Sequence, residues 1–331
     1  MYYPTEKRTI LTAEPLANGV VRVFTNIFPL DGCGWTRIRL ILTGVIGAGV
    51  TPYADGMYRW VKGITVRTSR GEVLFNQVPG MAFYFKNMLL NHSAPYHDYV
   101  IAAGSTVQAI LDLDFTFPFL NRPEDTLFDS GRYSNLELQI ATGTVADFAP
   151  AGAATAVVTI GIEIHSTLSA LVEDGTGKPF ALPYVATYPL IHADVQRFWD
   201  LESSLDLGLF GFFIYNHGAS GIPFCGVATG GLDTLTNVTF RDTVRTWLNL
   251  VDARSFMQER RLLIPYNFYL PVVGTSISTL IEGLYPHLFV KTGSINEVYP
   301  TGKKSFIRLE FTNPTATDEA DLCVFGMRAL R

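Results

Sequence analysis

Apolar and polar residues alternate with a period of two along most of this chain, the pattern of strands that bury one face. In Ile64-Thr65-Val66-Arg67-Thr68 the apolar Ile64 and Val66 share a face, with Thr65 and Arg67 opposite. Across Ile110 to Phe119, Leu111, Leu113, Phe115 and Phe117 alternate with Asp112, Asp114 and Thr116. Val158, Ile160, Ile162 and Ile164 line one face of the next such run, and Phe306 to Phe311 alternates in the same way. With 29 Gly and 18 Pro breaking these runs, the pattern predicts an all-β sandwich or barrel with many loops. Two segments switch to helical spacing. Pro79 opens one in which Met81, Phe85, Met88 and Leu89 recur along a stripe. Asp252 is suited to cap the other, Ala253 to Leu263, with Phe256, Met257 and Leu263 apolar.

Three short stretches of the first half return in order in the second. Gly63-Ile64-Thr65-Val66-Arg67-Thr68 reappears as Asn237-Val238-Thr239-Phe240-Arg241-Asp242, and Leu74-Phe75-Asn76-Gln77-Val78 as Trp247-Leu248-Asn249-Leu250-Val251. Leu113-Asp114-Phe115-Thr116-Phe117-Pro118 returns as Leu309-Glu310-Phe311-Thr312-Asn313-Pro314. Each predicted helix follows the second member of its set. The repeat therefore predicts a duplicated β unit with a helix between its middle strands. The third pair lies farther apart than the first two, which places an insertion in the second copy between residues 264 and 302. The polar, Gly-rich stretch 169–184 reads as the connector. The boundaries are then an N-terminal arm at 1–18, a first unit at 19–168 and a second at 185–331.

Composition narrows the setting. Charged residues make up 17% and hydrophobic ones 48% of 331 residues, against about 25% charged in an ordinary soluble domain. Such a chain buries apolar surface between subunits or enters a membrane. The best spanning candidate, Leu40 to Val50, contains Gly44, Gly47 and Gly49 and falls far short of the roughly 20 apolar residues needed. Phe210 to Tyr215 is shorter still, so the excess reads as subunit interfaces. A net charge of −5 with no basic run beyond a pair argues against direct, sequence-specific nucleic-acid binding. The N-terminus lacks the basic and apolar regions of a secretory signal. Cys33, Cys225 and Cys323 are odd in number and far apart, as expected for unpaired cysteines of a protein made in cytoplasm.

Candidate chemistry is sparse. Asp112 and Asp114 point the same way from one strand, but no His or third carboxylate follows at ligand spacing, so they read as a solvated or interface-facing edge. Arg308 and Glu310 occupy the matching positions of the repeat with one charge reversed. His92 and His97 flank Pro95 without a third ligand, and no His-x-His pair supports a single-domain cupin. Gly44, Gly47 and Gly49 are not followed by the Lys-Ser/Thr of a phosphate loop. No Gly-x-Ser-x-Gly elbow occurs. The glycosylation triplets at Asn91 and Asn237 read as incidental. No catalytic, cofactor or metal residues are assigned, and an enzyme is not expected.

Two tandem β units with a helix in each resemble the double jelly-roll major capsid proteins of tailless, icosahedral, membrane-containing viruses, bacteriophages among them. The similarity runs from about Arg37 to Arg331. It is carried locally by Thr51-Pro52-Tyr53-Ala54-Asp55-Gly56-Met57-Tyr58-Arg59-Trp60-Val61-Lys62-Gly63-Ile64, a polar turn ahead of an aliphatic strand. Leu127 to Gly143, with Ser134-Asn135-Leu136-Glu137-Leu138-Gln139-Ile140, is similar to the closing strands of the family's first jelly roll.

The resemblance implies two eight-stranded barrels normal to a capsid surface and a homotrimer of pseudo-hexagonal outline. It further implies a shell around an internal membrane, with neighbouring capsomers and other capsid proteins (penton, spike) as partners, located in the virion. Some relatives have a long basic arm that reaches the membrane. Here Met1 to Asn18 offers Lys7 and Arg8 for that contact, beside Glu6 and Glu14. The alternative from another class is a viral spike or lectin-like receptor binder on tandem β-sandwiches. Tyr266, Phe268, Tyr269, Tyr285 and Phe289 would be its aromatic loop residues.

Overall fold

A computed structural model describes residues 5–47, 56–91, 106–117, 120–148, 156–171, 179, 181–190, 196–201, 206–218, 235–250, 270–272, 275–277, 283–302, 304–312 and 318–329. The chain divides into two compact units, with a boundary between Pro183 and Tyr184.

The first unit contains β1 (Thr5–Leu16), β2 (Val21–Phe24), β3 (Cys33–Ile46), β4 (Val61–Thr68), β5 (Val73–Val78), β6 (Thr106–Asp114), β7 (Phe128–Asp129), β8 (Leu136–Thr142) and β9 (Ala156–Ala170). One sheet runs β1-β9-β3-β6, with the short β7 added beside β3. A second sheet contains the run β5-β4-β8-β2. With the eight long strands lettered B to I in chain order, these orders are B-I-D-G and C-H-E-F. That is the order of a jelly roll, a sandwich of two sheets rather than a closed barrel. Residues 5–16, within the N-terminal arm expected at 1–18, are strand B and pair with β9.

The second unit repeats the plan. Its strands are β10 (Ala181–Leu190), β11 (Gln196–Asp200), β12 (Leu207–Gly218), β13 (Thr236–Asp242), β14 (Thr246–Leu250), β17 (Leu284–Leu288), β18 (Tyr299–Pro300), β19 (Ile307–Thr312) and β20 (Asp318–Ala329), while the short strands β15 (Leu270–Val272) and β16 (Thr275–Ile277) are grouped with the first unit. The order β10-β20-β12-β17 is again B-I-D-G, and β11-β19-β13-β14 is C-H-E-F. β18 sits beside strand D as β7 does, and β15 pairs only with β16 among the described residues.

Inward positions follow the alternation read from sequence. Val158, Ile160, Ile162 and Ile164 are fully buried, as are Leu111 and Leu113. Ile64, Val66, Leu138 and Ile140 of the second sheet are buried as completely. In the second unit Phe212, Ile214, Phe240, Leu309, Phe311, Leu322 and Val324 belong to one core cluster. Each such side chain contributes about 1.5–3 kcal/mol by leaving water.

Two of the three sequence repeats are structural equivalents. The first pair lies on strand E of each unit (β4, β13) and the second on strand F (β5, β14). The third pair is not equivalent: Leu113 ends strand G, whereas Leu309 belongs to strand H. The register identifies the true partner. Val66 faces Leu138, while its repeat counterpart Phe240 faces Leu309. Matching β19 to β8 restores a spacing close to that of the other pairs and removes the insertion expected at 264–302. Residues 79–105 and 251–283, which join F to G in the two units, are of similar length.

The helix expected after strand F is present in the first unit as α2 (Gly80–Asn91), preceded by α1 (Gly56–Trp60). A third, α3 (Val145–Phe148), follows strand H. The second expected helix, 253–263, lies outside the described residues. Residues 81–90 are buried on every side, polar Lys86 and Asn87 included. Gly80 lets α2 approach α1: a Cβ there would sit 2.5 Å from the Tyr58 carbonyl oxygen and 3.0 Å from Val61 Cβ. Gly80→Ala is therefore expected to destabilise the first unit by about 1–3 kcal/mol, seen as a lower midpoint in chemical denaturation.

Candidate functional site

The outer face of the B-I-D-G sheet in the first unit gathers the charges that the alternation turns away from the core. Register places them in two rows. Lys7 faces His165, His165 faces Arg37, and Arg37 faces Asp114. In the next row Thr9, Glu163, Arg39 and Asp112 follow one another across the same four strands. Antiparallel neighbours interact across such rows, and opposite charges there stabilise the chosen register.

The contacts bind the rows into a network. Arg39 grips Asp112 with two hydrogen bonds, Nε to Oδ1 at 2.7 Å and Nη2 to Oδ2 at 2.8 Å. Arg37 donates to the same carboxylate at 2.8 Å and reaches Asp114 Oδ1 at 3.2 Å. Lys86 brings its ammonium from α2 to Asp114 Oδ2 at 3.5 Å, where both side chains are almost fully buried. Asn87 Nδ2 donates to the Asp112 carbonyl at 3.0 Å. Lys7 pairs with Glu163 at 2.6 Å, and Arg8 pairs with Glu6 and Asp31. Both cations assigned to membrane contact by sequence are thus met by carboxylates of their own unit.

Asp112 and Asp114 are accordingly not a solvated edge: they tie β6 to β3 through Arg37 and Arg39 and receive Lys86 and Asn87 from the buried helix. Burial pushes the Asp112 carboxyl up, but the Arg39 hydrogen bonds and the Arg37 and Arg39 charges outweigh it and hold the pKa below the usual range. Burial lowers the His165 pKa. Arg39 and Arg37 push it the same way, against the opposing pull of Asp112 and Glu163.

In the second unit the outer face of C-H-E-F is also charged. Arg308 forms a fork on Asp200 (2.5 and 2.8 Å) and lies over the Phe198 ring. Glu310 accepts from Arg241 at 2.6 Å. Arg308 and Glu310 are on strand H, so they are not counterparts of the Asp112 and Asp114 pair on strand G.

At the E–F turn the buried Asp242 carboxylate accepts from the Val244 N–H (2.6 Å), the Arg245 N–H (3.0 Å), Trp247 Nε1 (2.8 Å) and Tyr299 Oη (2.6 Å). Lys304 adds an ion pair at 3.1 Å. Burial alone would raise its pKa; the donors together hold it well below the usual carboxylate range. Burial and the bond to Asp242 push the Tyr299 phenol up. Sequence reasoning did not single out Asp242, although Asp242-x-x-Arg245-x-Trp247 is a readable turn signal.

The remaining sequence candidates do not converge. Tyr285 is buried and Phe289 packs on the second core, so neither is a loop-tip aromatic. Tyr266, Phe268, Tyr269, His92, His97 and Cys225 lie outside the described residues. Cys33 and Cys323 are buried. Among the described residues no three His, Cys, Asp or Glu side chains are grouped to hold a metal, and no helix is long and apolar enough to cross a membrane.

No family model and no curated protein matches the sequence. Solved structures do match over nearly its whole length. The crystal structure of the STIV MCP aligns with a TM-score of 0.67 at 13% identity, covering 99% of this chain and 97% of that one. The major capsid protein P2 from bacteriophage PM2 aligns at 0.60 and 14% identity, covering 99% and 98%. This chain has the double jelly-roll fold. The Faustovirus major capsid protein shares it at a TM-score of 0.56 and 8% identity, covering 99% and 90%. At such identities the likeness establishes the double jelly roll and leaves the side-chain networks above as this chain's own.

Two predictions follow from the charges. Asp114→Ala removes a carboxylate from the buried Lys86 ammonium and from Arg37, a loss of about 3–5 kcal/mol measurable by denaturant unfolding. Because the folded His165 pKa lies below its ordinary 6.5, the unfolded chain takes up that proton first. Stability from this site is complete above pH 6.5 and falls as the pH drops toward the lowered folded value. His165→Gln should flatten that part of the melting-temperature profile. The separate acid loss below pH 3.8, set by the lowered pKa values of Asp112 and Asp242, should remain.

Proposed function

We propose that this double jelly roll is a major capsid protein that assembles as a homotrimer of pseudo-hexagonal outline and tiles an icosahedral shell around an internal membrane. The observation that carries this reading is the pairing of two B-I-D-G/C-H-E-F sandwiches in one chain, aligned end to end with viral capsid proteins. Three copies bring six similar sandwiches together, so a threefold particle approximates a hexagon. Closed symmetry lets each copy present the same patches to its neighbours.

The physical chemistry supports a mechanical role. Only 17% of the chain is charged, and the charges on its described sheet faces are largely paired within each unit. Such faces meet neighbours with little uncompensated charge to desolvate. Neighbouring capsomers, penton and spike proteins would be its partners in the virion, after synthesis in host cytoplasm. No catalytic role is assigned. The spike or lectin-like reading loses Tyr285 and Phe289 to the core.

Mass determination of the purified chain, with negative-stain imaging, tests the proposal. A stable trimer with six density lobes is expected; a well-behaved monomer at micromolar concentration overturns it.

A further inference from the structure

The E–F turn of the second jelly roll and the residues leading into strand H form a single apex. Thr243 Oγ1 and the Ser305 hydroxyl are 2.9 Å apart, and Thr243 Oγ1 also accepts from the backbone N–H groups of Ser305 (2.9 Å) and Phe306 (3.3 Å). The apex exposes apolar side chains: Val244 is 74% accessible, Phe306 40% and Trp247 37%. Beneath them the Asp242 carboxylate fixes the turn through two backbone N–H groups and the Trp247 indole.

The charges at this apex are unequal. Lys304 neutralises Asp242. The Arg245 guanidinium stacks on Trp247, 3.4 Å from the ring centroid, with no carboxylate partner among the described residues. A protruding valine and phenylalanine beside a Trp–Arg pair have the chemistry of an interfacial anchor: apolar groups enter the acyl boundary, indole sits at headgroup depth, and the cation meets phosphate. A turn apex suits a deformable lipid surface better than a flat protein face. The C-H-E-F sheet face, by contrast, has its Arg308 and Arg241 already paired with Asp200 and Glu310.

We infer that the apex formed by Val244, Arg245, Trp247 and Phe306 is a lipid-contact site for an anionic membrane surface. The inference rests on the proposed shell around a membrane and specifies which part of the chain touches it. It differs from the Lys7 and Arg8 contact expected by sequence, where both cations already have carboxylate partners.

Flotation of the purified full chain with phosphatidylcholine vesicles, with and without 30% phosphatidylglycerol (roughly the anionic content needed for an appreciable surface potential), is the test. Wild-type protein should float with the anionic vesicles. Val244→Ser/Phe306→Ser should reduce the bound fraction at least about tenfold, and Arg245→Ala about fivefold. Trp35, Trp60 and Trp199 are buried, so quenching of tryptophan fluorescence by lipids brominated near the headgroup reports on Trp247 without any substitution.

Absence of flotation and quenching overturns the inference, as does flotation that the double substitution leaves unchanged. A double variant that changes oligomeric mass without changing flotation assigns the apex to a contact between copies, which also overturns it. The mass measured on the same preparation separates the two proposals. A trimer that does not float removes only the apex site, whereas a monomer that floats removes the shell and keeps the lipid contact.

Discussion

The register in which β3 is held between β9 and β6 is the constraint on which the first jelly roll depends. β3 is the D strand, and its pairings run almost its full length on both sides. Shifting either pairing by one residue would exchange the two faces of a strand. Ile38, Leu40 and Leu42 would leave the core, and Arg37 and Arg39 would enter it. The cost of burying two guanidinium groups without partners exceeds any single packing defect. The outer network makes the same choice from the other side, since Arg37 opposite Asp114 and Arg39 opposite Asp112 can form only in this register.

That register also explains how Lys86 can be buried. The α2 helix has no polar face, because 81–90 are enclosed on every side. A lysine in such a helix is tolerable only where a carboxylate is already fixed to receive it, and Asp114 is fixed by Arg37. Sheet pairing, helix docking and charge balance are therefore one problem. Gly80 supplies the remaining condition, the close approach of α2 to α1.

Much of the strand content was legible in the sequence because a half-buried strand repeats every two residues and needs no partner to show it. Ile160, Ile162 and Ile164 were placed correctly on that basis, and Met81, Phe85, Met88 and Leu89 on the basis of helical spacing. The same periodicity misled where two strands carry one pattern. Leu113-Asp114 ends strand G, just ahead of Phe115, and Leu309-Glu310-Phe311 lies on strand H, yet both stretches alternate large inward residues with an outward carboxylate. Local pattern identifies an inward face, not which strand of the jelly roll bears it. The pairings of Val66 with Leu138 and Phe240 with Leu309 resolve this, and they are properties of the folded sheet. The partners of Asp112 were illegible for a similar reason: Arg37 and Arg39 lie more than 70 residues away.

A low charge content then acquires a structural meaning. Several outward-facing charges on the described sheets are matched, Arg39 with Asp112, Lys7 with Glu163, Arg308 with Asp200 and Arg241 with Glu310. A surface whose charges are already matched offers a neighbour little Coulombic attraction, and it also imposes little desolvation cost when covered. Shape and apolar contact would then decide how such faces pack. At the E–F apex of the second unit the balance reverses: the carboxylate is buried and satisfied, while a guanidinium and three apolar side chains remain outside. Paired charge on broad sheet faces and unpaired charge at a turn suit different partners, a neighbouring protein in the first case and a lipid surface in the second.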